Sequence, residues 1–234
     1  MSQLEPIAID GASGAPRPDG APASPIVVAA FEPFGGRRKN RAHDAALRLR
    51  GAALEGRAVE VVKLPTIFAE LPRALDGLFS RAPALVLLVG ESAAARRLQV
   101  ERIAINVAHA RLGDNAGARP IDDEVERGGE LARRVRFDPR AIANAAIAAG
   151  VPCDVSSHAG TFCCNAAFYL ALGRAYGPGA PLIAFVHVPA RFPWARDERA
   201  ARGLFAIARE LLSRRLAATG EAPPSEASGG RHSH

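Results

Sequence analysis

Short apolar runs alternate along this chain with stretches of helical periodicity, and this alternation constrains its fold more than any other feature. The runs at residues 26–31, 84–90 and 181–188 are almost continuously apolar, which is typical of strands covered on both faces. Helical patterns lie between and after these runs. We therefore expect an α/β protein, a single-domain three-layer α/β/α sandwich with a largely parallel central sheet.

The predicted elements suggest where a ligand site would lie. The predicted strands are 26–31, 58–64, 84–90, 153–156 and 181–188, and the predicted helices are 41–54, 71–81, 139–149, 164–175 and 196–216. Ligands of parallel α/β sheets bind beyond the carboxyl ends of the strands. The segment 31–36, Gly90, the approach to Cys164 and His187 all fall at predicted strand ends, so we expect them to share one site.

The composition limits the classes of protein to be considered. The 234 residues are 48% hydrophobic and carry a net charge of +6, which suits one domain with a sizeable core. The arginines form no basic stripe interleaved with aromatic residues, so no nucleic-acid partner is expected. No membrane span or signal peptide is visible. Three cysteines without a disulfide framework favour a cytoplasmic protein.

Both ends of the chain differ in composition from its middle. They are rich in Gly, Ala, Pro and Ser and have little apolar periodicity, which indicates disorder. We expect a disordered N-terminal extension at residues 1–24, the α/β/α domain at 25–217 and a disordered C-terminal tail at 218–234.

A cysteine pair stands where a helix is predicted to begin. Residues 156–165 read Ser-Ser-His-Ala-Gly-Thr-Phe-Cys-Cys-Asn, a strand end, a glycine-containing turn and the start of an apolar helix. The unpaired N–H groups of a first helical turn carry partial positive charge and stabilise a thiolate. This placement indicates a nucleophile.

Two ionisable residues offer partners for such a thiol. His187 ends the apolar run 181–188, and Glu101 follows Gly90 by eleven residues. Cysteine, histidine and a carboxylate from separate elements are the parts of a thiol-hydrolase triad. A buried structural histidine, and a surface ion pair of Glu101 with Arg97 or Arg102, are the alternatives.

Four segments together resemble the pyroglutamyl peptidase I family, also called pyrrolidone-carboxylate peptidases. They are 156–165, Glu-Arg-Ile-Ala-Ile-Asn at 101–106, Phe-Val-His-Val-Pro at 185–189 and Phe-Glu-Pro-Phe-Gly-Gly at 31–36. The resemblance covers residues 26–214, in the family's order and at similar spacings. It implies a cysteine exopeptidase that hydrolyses N-terminal pyroglutamyl residues through an acyl-enzyme, without metal or cofactor. It also implies a peptide or small amide substrate and a homo-oligomer, a dimer or tetramer.

The resemblance assigns roles in the chemistry to particular residues. Cys164 is the implied nucleophile, whereas Cys153 and Cys163 match no catalytic position and are interpreted as small buried hydrophobes. His187 would exchange the proton, and Glu101 would orient His187. Arg111 matches an arginine that helps to stabilise the oxyanion, although a solvated arginine is the alternative.

The resemblance also implies residues that recognise the substrate. Phe31, Phe34 and Phe162 match positions that contact the lactam ring, and Asn40 matches an asparagine of the same loop. Glu91 stands where the family has a glutamine close to the lactam, and a carboxylate cannot donate a hydrogen bond as an amide can. Core packing is the alternative for the phenylalanines.

Further departures from the family pattern lie near the implied site. Ala108 and His109 replace a common acidic pair, Gln99 replaces a serine or threonine, and His158 replaces a smaller residue. Because the chemical residues are all present and the departures affect recognition residues, the sequence supports cysteine amide hydrolysis more strongly than pyroglutamyl specificity. The alternatives are a same-fold amidohydrolase with another N-acyl or cyclic-amide specificity and a non-catalytic binding homologue. A nucleoside phosphorylase-like protein, with residues 35–38 as a weak phosphate loop, is a further alternative.

Overall fold

A computed structural model describes residues 23–177, 179–191 and 197–220. Of the two tails predicted from composition, residues 1–22 and 221–234 lie outside the described residues. Within the described residues, no helix is both long enough and apolar enough to cross a bilayer.

A seven-stranded sheet forms the centre of the described part of the protein, beside a separate two-stranded hairpin. The strands are β1 Ile26–Phe31, β2 Ala53–Leu54, β3 Arg57–Leu64, β4 Leu85–Ser92, β5 Leu98–Glu101, β6 Ile103–Ile105, β7 Ala132–Arg134, β8 Cys153–Ser156 and β9 Leu182–Pro189. The sheet has the strand order β2-β3-β1-β4-β9-β5-β8, and β6 and β7 form the hairpin. Strands β1, β4 and β9 are almost fully buried, as their continuous apolar sequences require.

Helices cover both faces of the sheet and create two apolar cores. The helices are α1 Arg41–Leu47, α2 Leu71–Phe79, α3 Pro139–Ala148, α4 Cys163–Arg174 and α5 Asp197–Thr219. Buried side chains of α1, α3 and α5 form one core with alternate residues of the strands, whereas those of α2 and α4 form the other core with the remaining residues. The expected α/β class and its three layers are therefore confirmed.

The strand directions differ from the expectation in one respect that matters for the site. Strands β1, β3, β4 and β9 pair in parallel, but β5 runs antiparallel to β9 and parallel to β8. The carboxyl ends of β5 and β8 therefore point away from those of β4 and β9. The expectation that the approach to Cys164 leaves β8 at the shared carboxyl edge was wrong, because β8 runs in the direction opposite to β4 and β9.

Two parts of the secondary structure were predicted wrongly. The helix expected at 41–54 ends at Leu47, because residues 53–58 form a tight hairpin between β2 and β3. Its central residues Glu55 and Gly56 have φ values of 46° and 68°, the backbone conformation that two-residue hairpins favour. The short strands β5, β6 and β7 were not predicted at all.

The contacts of two helical glycines predict opposite effects of the same substitution on stability. A Cβ at Gly203 of α5 would lie 2.5 Å from Leu98 Cδ1 and 2.9 Å from Val151 Cγ1, so Gly203→Ala should destabilise the fold by about 1–3 kcal/mol. A Cβ at Gly77 of α2 would meet nothing within 4 Å, so Gly77→Ala should stabilise it by about 0.5–1 kcal/mol. Chemical denaturation of both variants measures the difference. Equal effects would contradict the tight packing inferred at Gly203.

Candidate active site

Cys164 lies in the first turn of α4, as the sequence predicted. Helix α4 begins at Cys163, and the N-cap residue Phe162 provides no side-chain cap. The N–H groups of this turn are therefore not taken by a capping side chain, and their partial positive charge acts close to the sulfur. Cys164 is only partly buried, whereas Cys153 and Cys163 are buried.

The side chains of Glu101, His187 and Cys164 come together at one place in the fold. Nδ1 of His187 lies 2.8 Å from Oε1 of Glu101, and Cys164 is close enough to raise the pKa of the same histidine. Glu101 is fully buried, and His187 is 6% exposed. The structure thus brings together the three residues that the sequence singled out from separate elements.

Strand register explains why the Glu101 side chain reaches His187. Strands β5 and β9 are antiparallel neighbours, with Gln99 opposite His187 and Val100 opposite Val186. Alternate residues of a strand share a face, so Gln99 and Glu101 lie on the same face of β5. Glu101 is therefore a diagonal neighbour of His187 across the strand pair, within reach of a long side chain.

A glycine leaves room for the sulfur. Gly90 of β4 pairs with His187 of β9. A Cβ at Gly90 would lie only 2.8 Å from Cys164 Sγ and 2.8 Å from Phe185 Cζ, distances at which atoms overlap. The absence of a side chain at Gly90 is thus a condition for Cys164 to approach the sheet.

The surroundings of His187 favour its protonated form. Burial lowers the pKa of His187, but hydrogen bonds to Cys164 and Glu101 and the negative charges of both raise it to about 9. A neighbouring thiolate and a buried carboxylate stabilise an imidazolium in this way. The other cysteines differ, because burial raises the pKa of Cys163 and raises that of Cys153 to about 12. Neither of these cysteines is suited to attack.

An aromatic cluster lies beside the first turn of α4. The ring of Phe162 is 5.7 Å from that of Phe34 and 5.3 Å, edge-on, from that of Phe68. Phe31 is buried and packs 6.5 Å from Phe185, whose ring is 4.8 Å from the His187 ring. The three predicted phenylalanines therefore all lie around the candidate site. Phe68 was missed by the sequence analysis, which left its segment unassigned.

Two of the predicted recognition residues are engaged in structural hydrogen bonds. Asn40 is the N-cap of α1, where its Oδ1 accepts from the N–H of Ala42 at 3.0 Å, and its Nδ2 donates to the carbonyl of Glu32 at 3.3 Å. Glu91 accepts a hydrogen bond from the N–H of Arg41 at 2.8 Å and pairs with the guanidinium of Arg37. The structure does not bring these two polar groups together with Cys164.

Arg111 is exposed and has no hydrogen bond or ion pair within the described residues. Its loop, however, is attached to the approach to Cys164. The N–H of His109 donates to the carbonyl of Thr161 at 2.9 Å, and Oγ1 of Thr161 donates to the carbonyl of His109 at 2.9 Å. Arg111 thus lies two residues after His109, which is bonded to Thr161, three residues before Cys164.

The two histidines that depart from the family pattern have local partners. Nδ1 of His158 accepts a hydrogen bond from the N–H of Gly160 at 3.0 Å, which stabilises the turn before α4. His109 lies 2.9 Å from Asp122. Both histidines therefore make hydrogen bonds that stabilise the loops in which they lie.

One residue that the sequence analysis missed organises the site from within. Asn165 is fully buried, accepts from the N–H of Ile105 at 2.9 Å and donates to the carbonyls of Ile105 and Val107 at 2.9 and 3.0 Å. It thereby joins α4 to the loop that carries His109. Its position directly after Cys164 in the matched segment is the signal that could have identified it.

No group of three or more His, Cys, Asp or Glu side chains that could hold a metal ion occurs within the described part of the chain. The expectation that no metal or cofactor is needed stays a prediction.

Comparisons with known proteins agree with this geometry. The family model described as pyroglutamyl peptidase matches residues 24–209. Pyrrolidone-carboxylate peptidase 1 of Ralstonia nicotianae is 40% identical over 62% of this chain and 67% of its own length. The pyrrolidone-carboxylate peptidase of Chromobacterium violaceum is 38% identical over 70% of this chain and 77% of its own.

Solved structures agree as well. Pyroglutamyl peptidase I of Bacillus amyloliquefaciens superposes with a TM-score of 0.77 at 26% identity, over 82% of this chain and 98% of that protein. Pyrrolidone carboxyl peptidase of Thermus thermophilus gives 0.73 at 31% identity, over 79% and 98%. Cys164, His187 and Glu101 all lie within residues 24–209, which the family model matches. The chain therefore belongs to the pyroglutamyl peptidase family of cysteine peptidases.

Proposed function

We propose that this protein is a cysteine exopeptidase that hydrolyses the N-terminal pyroglutamyl residue from peptides, with Cys164, His187 and Glu101 as its catalytic triad. The observation that carries the proposal is the buried Glu101–His187 hydrogen bond, 2.8 Å long, next to Gly90, which is the strand partner of His187 and faces Cys164 Sγ. A base that is oriented by a third group and lies beside a nucleophile is the arrangement expected for acyl transfer.

In the proposed mechanism the Cys164 thiolate attacks the carbonyl carbon of the pyroglutamyl residue. The His187 imidazolium then gives its proton to the departing amine as the C–N bond breaks, leaving a thioester. Water attacks this thioester while neutral His187 takes one of its protons, and pyroglutamate leaves as the thiolate re-forms. Glu101 holds His187 in place and stabilises its charged form.

The oxyanion formed in each step needs fixed donors. The N–H groups at the start of α4 are suitable, because Cys164 itself stands there and no side chain caps this turn. Arg111 is proposed as a second donor. Its exposed guanidinium lacks a protein partner among the described residues, and its loop is bonded to Thr161 beside the nucleophile.

The charges around the site support a substrate without a free amino group. A pyroglutamyl residue is an uncharged lactam, which suits contact with aromatic rings such as Phe34 and Phe162. The nearby carboxylates are already engaged: Glu101 with His187, Glu91 with Arg37 and the N–H of Arg41, and Glu32 with Thr66 and Asn115. A specificity for cationic substrates through Glu91 is therefore disfavoured, since its carboxylate has other partners.

Other properties of the protein remain predictions. Homo-oligomerisation, as a dimer or tetramer, rests on the family resemblance, and a cytoplasmic location rests on the need for a reduced thiol. Peptides are the substrates implied by the family. The absence of nucleic-acid and membrane partners is likewise expected from the sequence.

The first prediction concerns the nucleophile. Iodoacetamide should alkylate Cys164 first at neutral pH, because Cys153 and Cys163 are buried with raised pKa values. Peptide mass spectrometry after partial labelling measures the order. Cys164→Ala should reduce pyroglutamyl hydrolysis by about a thousandfold or more, whereas Cys153→Ala should retain activity. Equal labelling of the three cysteines would instead support a non-catalytic binding protein.

The second prediction concerns specificity. We expect pyroglutamyl-aminomethylcoumarin to be cleaved with a kcat/KM about a hundredfold or more above that of the prolyl, alanyl and glutamyl amides, since their ammonium groups find no free carboxylate. The prolyl amide is the matched control, because it has the same ring size without the lactam carbonyl. Preferred cleavage of an aminoacyl amide by well-folded protein would establish the same machinery with another specificity.

The third prediction concerns pH. His187 must be protonated to release the amine, so kcat/KM should be maintained below its pKa and fall as pH rises through about 9. Glu101→Gln removes one of the charges that raise this pKa, so its decline should begin at lower pH. Asp154→Asn is the control, since it breaks an exposed pair with Arg97 and should leave the decline in place. An unchanged profile in Glu101→Gln would refute the role of Glu101.

A further inference from the structure

Glu91 is a buried carboxylate with two partners. Its side chain is 2% exposed, and one carboxylate oxygen pairs with the Arg37 guanidinium. The other oxygen accepts a hydrogen bond from the N–H of Arg41 at 2.8 Å. Arg41 is the first residue of α1, where a negative charge is also stabilised by the partial positive charge of the helix N-terminus.

Glu91 lies on the opposite face of the sheet from the nucleophile. It directly follows Gly90 in β4, and the missing side chain of Gly90 faces Cys164 Sγ. Since successive residues of a strand point to opposite faces, the Glu91 side chain extends towards α1, in agreement with its bond to Arg41. A direct contact between this carboxylate and a lactam beside Cys164 is therefore disfavoured by the strand geometry.

A tight turn connects the partner of Glu91 to the aromatic cluster. The N–H of Arg37 donates to the carbonyl of Phe34 at 3.3 Å, so residues 34–37 form a four-residue turn. The central residues Gly35 and Gly36 have φ values of 62° and 73°, which other residues adopt only with strain. Phe34 and Arg37 are thus the two ends of one hydrogen-bonded turn, and fixing one end restricts the other.

The rest of this loop has few attachments of its own. Its ends are held at the carbonyl of Glu32, which accepts from Thr66 Oγ1 and Asn40 Nδ2, and at the carbonyl of Pro33, which accepts from Asn115 Nδ2 at 3.0 Å. Residues 35–39, between these attachments, are exposed. Among the described residues, the Arg37–Glu91 pair is the only side-chain hydrogen bond that this exposed middle makes.

We propose that Glu91 is a positioning residue for substrate recognition, which acts through Arg37 to hold the turn that presents Phe34 against Phe162. The inference rests on the proposed function, because it assigns these rings to the lactam. This role explains why a carboxylate can stand at position 91 in a site for an uncharged ring. The charge of Glu91 is neutralised by Arg37, and the pair orders the loop.

Steady-state kinetics with pyroglutamyl-aminomethylcoumarin test the proposal. Glu91→Gln and Arg37→Gln should each raise KM about three- to tenfold and leave kcat within about twofold, as expected when binding is lost equally in ground and transition states. The double variant should resemble either single variant, because both remove the same pair. Arg37→Lys should restore part of the loss.

A matched control and two outcomes make this test decisive. Glu60→Gln breaks another Arg–Glu pair, with Arg81 at 2.6 Å, away from this loop, and should leave KM unchanged. A lower KM in Glu91→Gln, independent of Arg37, would show direct contact with the lactam and overturn the proposal. An unchanged KM in both Glu91→Gln and Arg37→Gln would also overturn it.

Limited proteolysis tests whether the Arg37–Glu91 pair holds the loop, independently of enzyme activity. Trypsin can cut the exposed chain after Arg38 and Lys39, and its rate follows the population of the opened loop. Glu91→Gln and Arg37→Gln should be cut there about threefold faster than wild type, and Glu60→Gln should match wild type. Unchanged cutting would overturn the proposal that the Arg37–Glu91 pair holds this loop, even if the enzyme is active. Wild-type protein that cleaves no pyroglutamyl substrate would instead refute the proposed function, whatever the trypsin result.

Discussion

The hydrogen bond between Glu101 and His187 is the interaction on which the candidate site depends. Glu101 is fully buried, and leaving an isolated carboxylate in such a place would be costly. Its 2.8 Å contact with the histidine supplies a positive partner, whose pKa is also raised by Cys164. The burial that makes the pair costly also protects it from solvent screening, so the carboxylate can favour the imidazolium form of His187.

The fold class could be predicted from the sequence because the central strands are buried on both faces and contain almost no polar residue. The hydrogen bond between Glu101 and His187 could be expected because each residue stands in a recognisable segment. The short strand β5 could not, since Leu98–Glu101 carries polar residues at alternate positions and is too brief for a clear period. Its antiparallel pairing with β9 is set by tertiary packing, which no local sequence pattern indicates.

The recognition residues were harder to interpret than the chemical ones. Asn40 and Glu91 were identified by their positions in matched segments, but the partners of a polar group depend on which elements fold next to it. In the structure Asn40 caps the N-terminus of α1, and Glu91 pairs with Arg37 and accepts a hydrogen bond from the N–H of Arg41. Asn165, in contrast, was overlooked although it joins α4 to the loop beside the site. An amide inside an apolar helix has no distinctive spacing, so its position next to Cys164 was the one signal for it.

The antiparallel register between β5 and β9 has a consequence for how this protein is made. Gln99 stands opposite His187, and a slip of one residue would turn Glu101 to the far side of the sheet. There a charged group would enter the apolar core formed with α1, α3 and α5, where it would lack its imidazole. Misaligned molecules would therefore be unstable and would lack the Glu101–His187 bond, so correct pairing of the sheet and formation of the candidate site occur together.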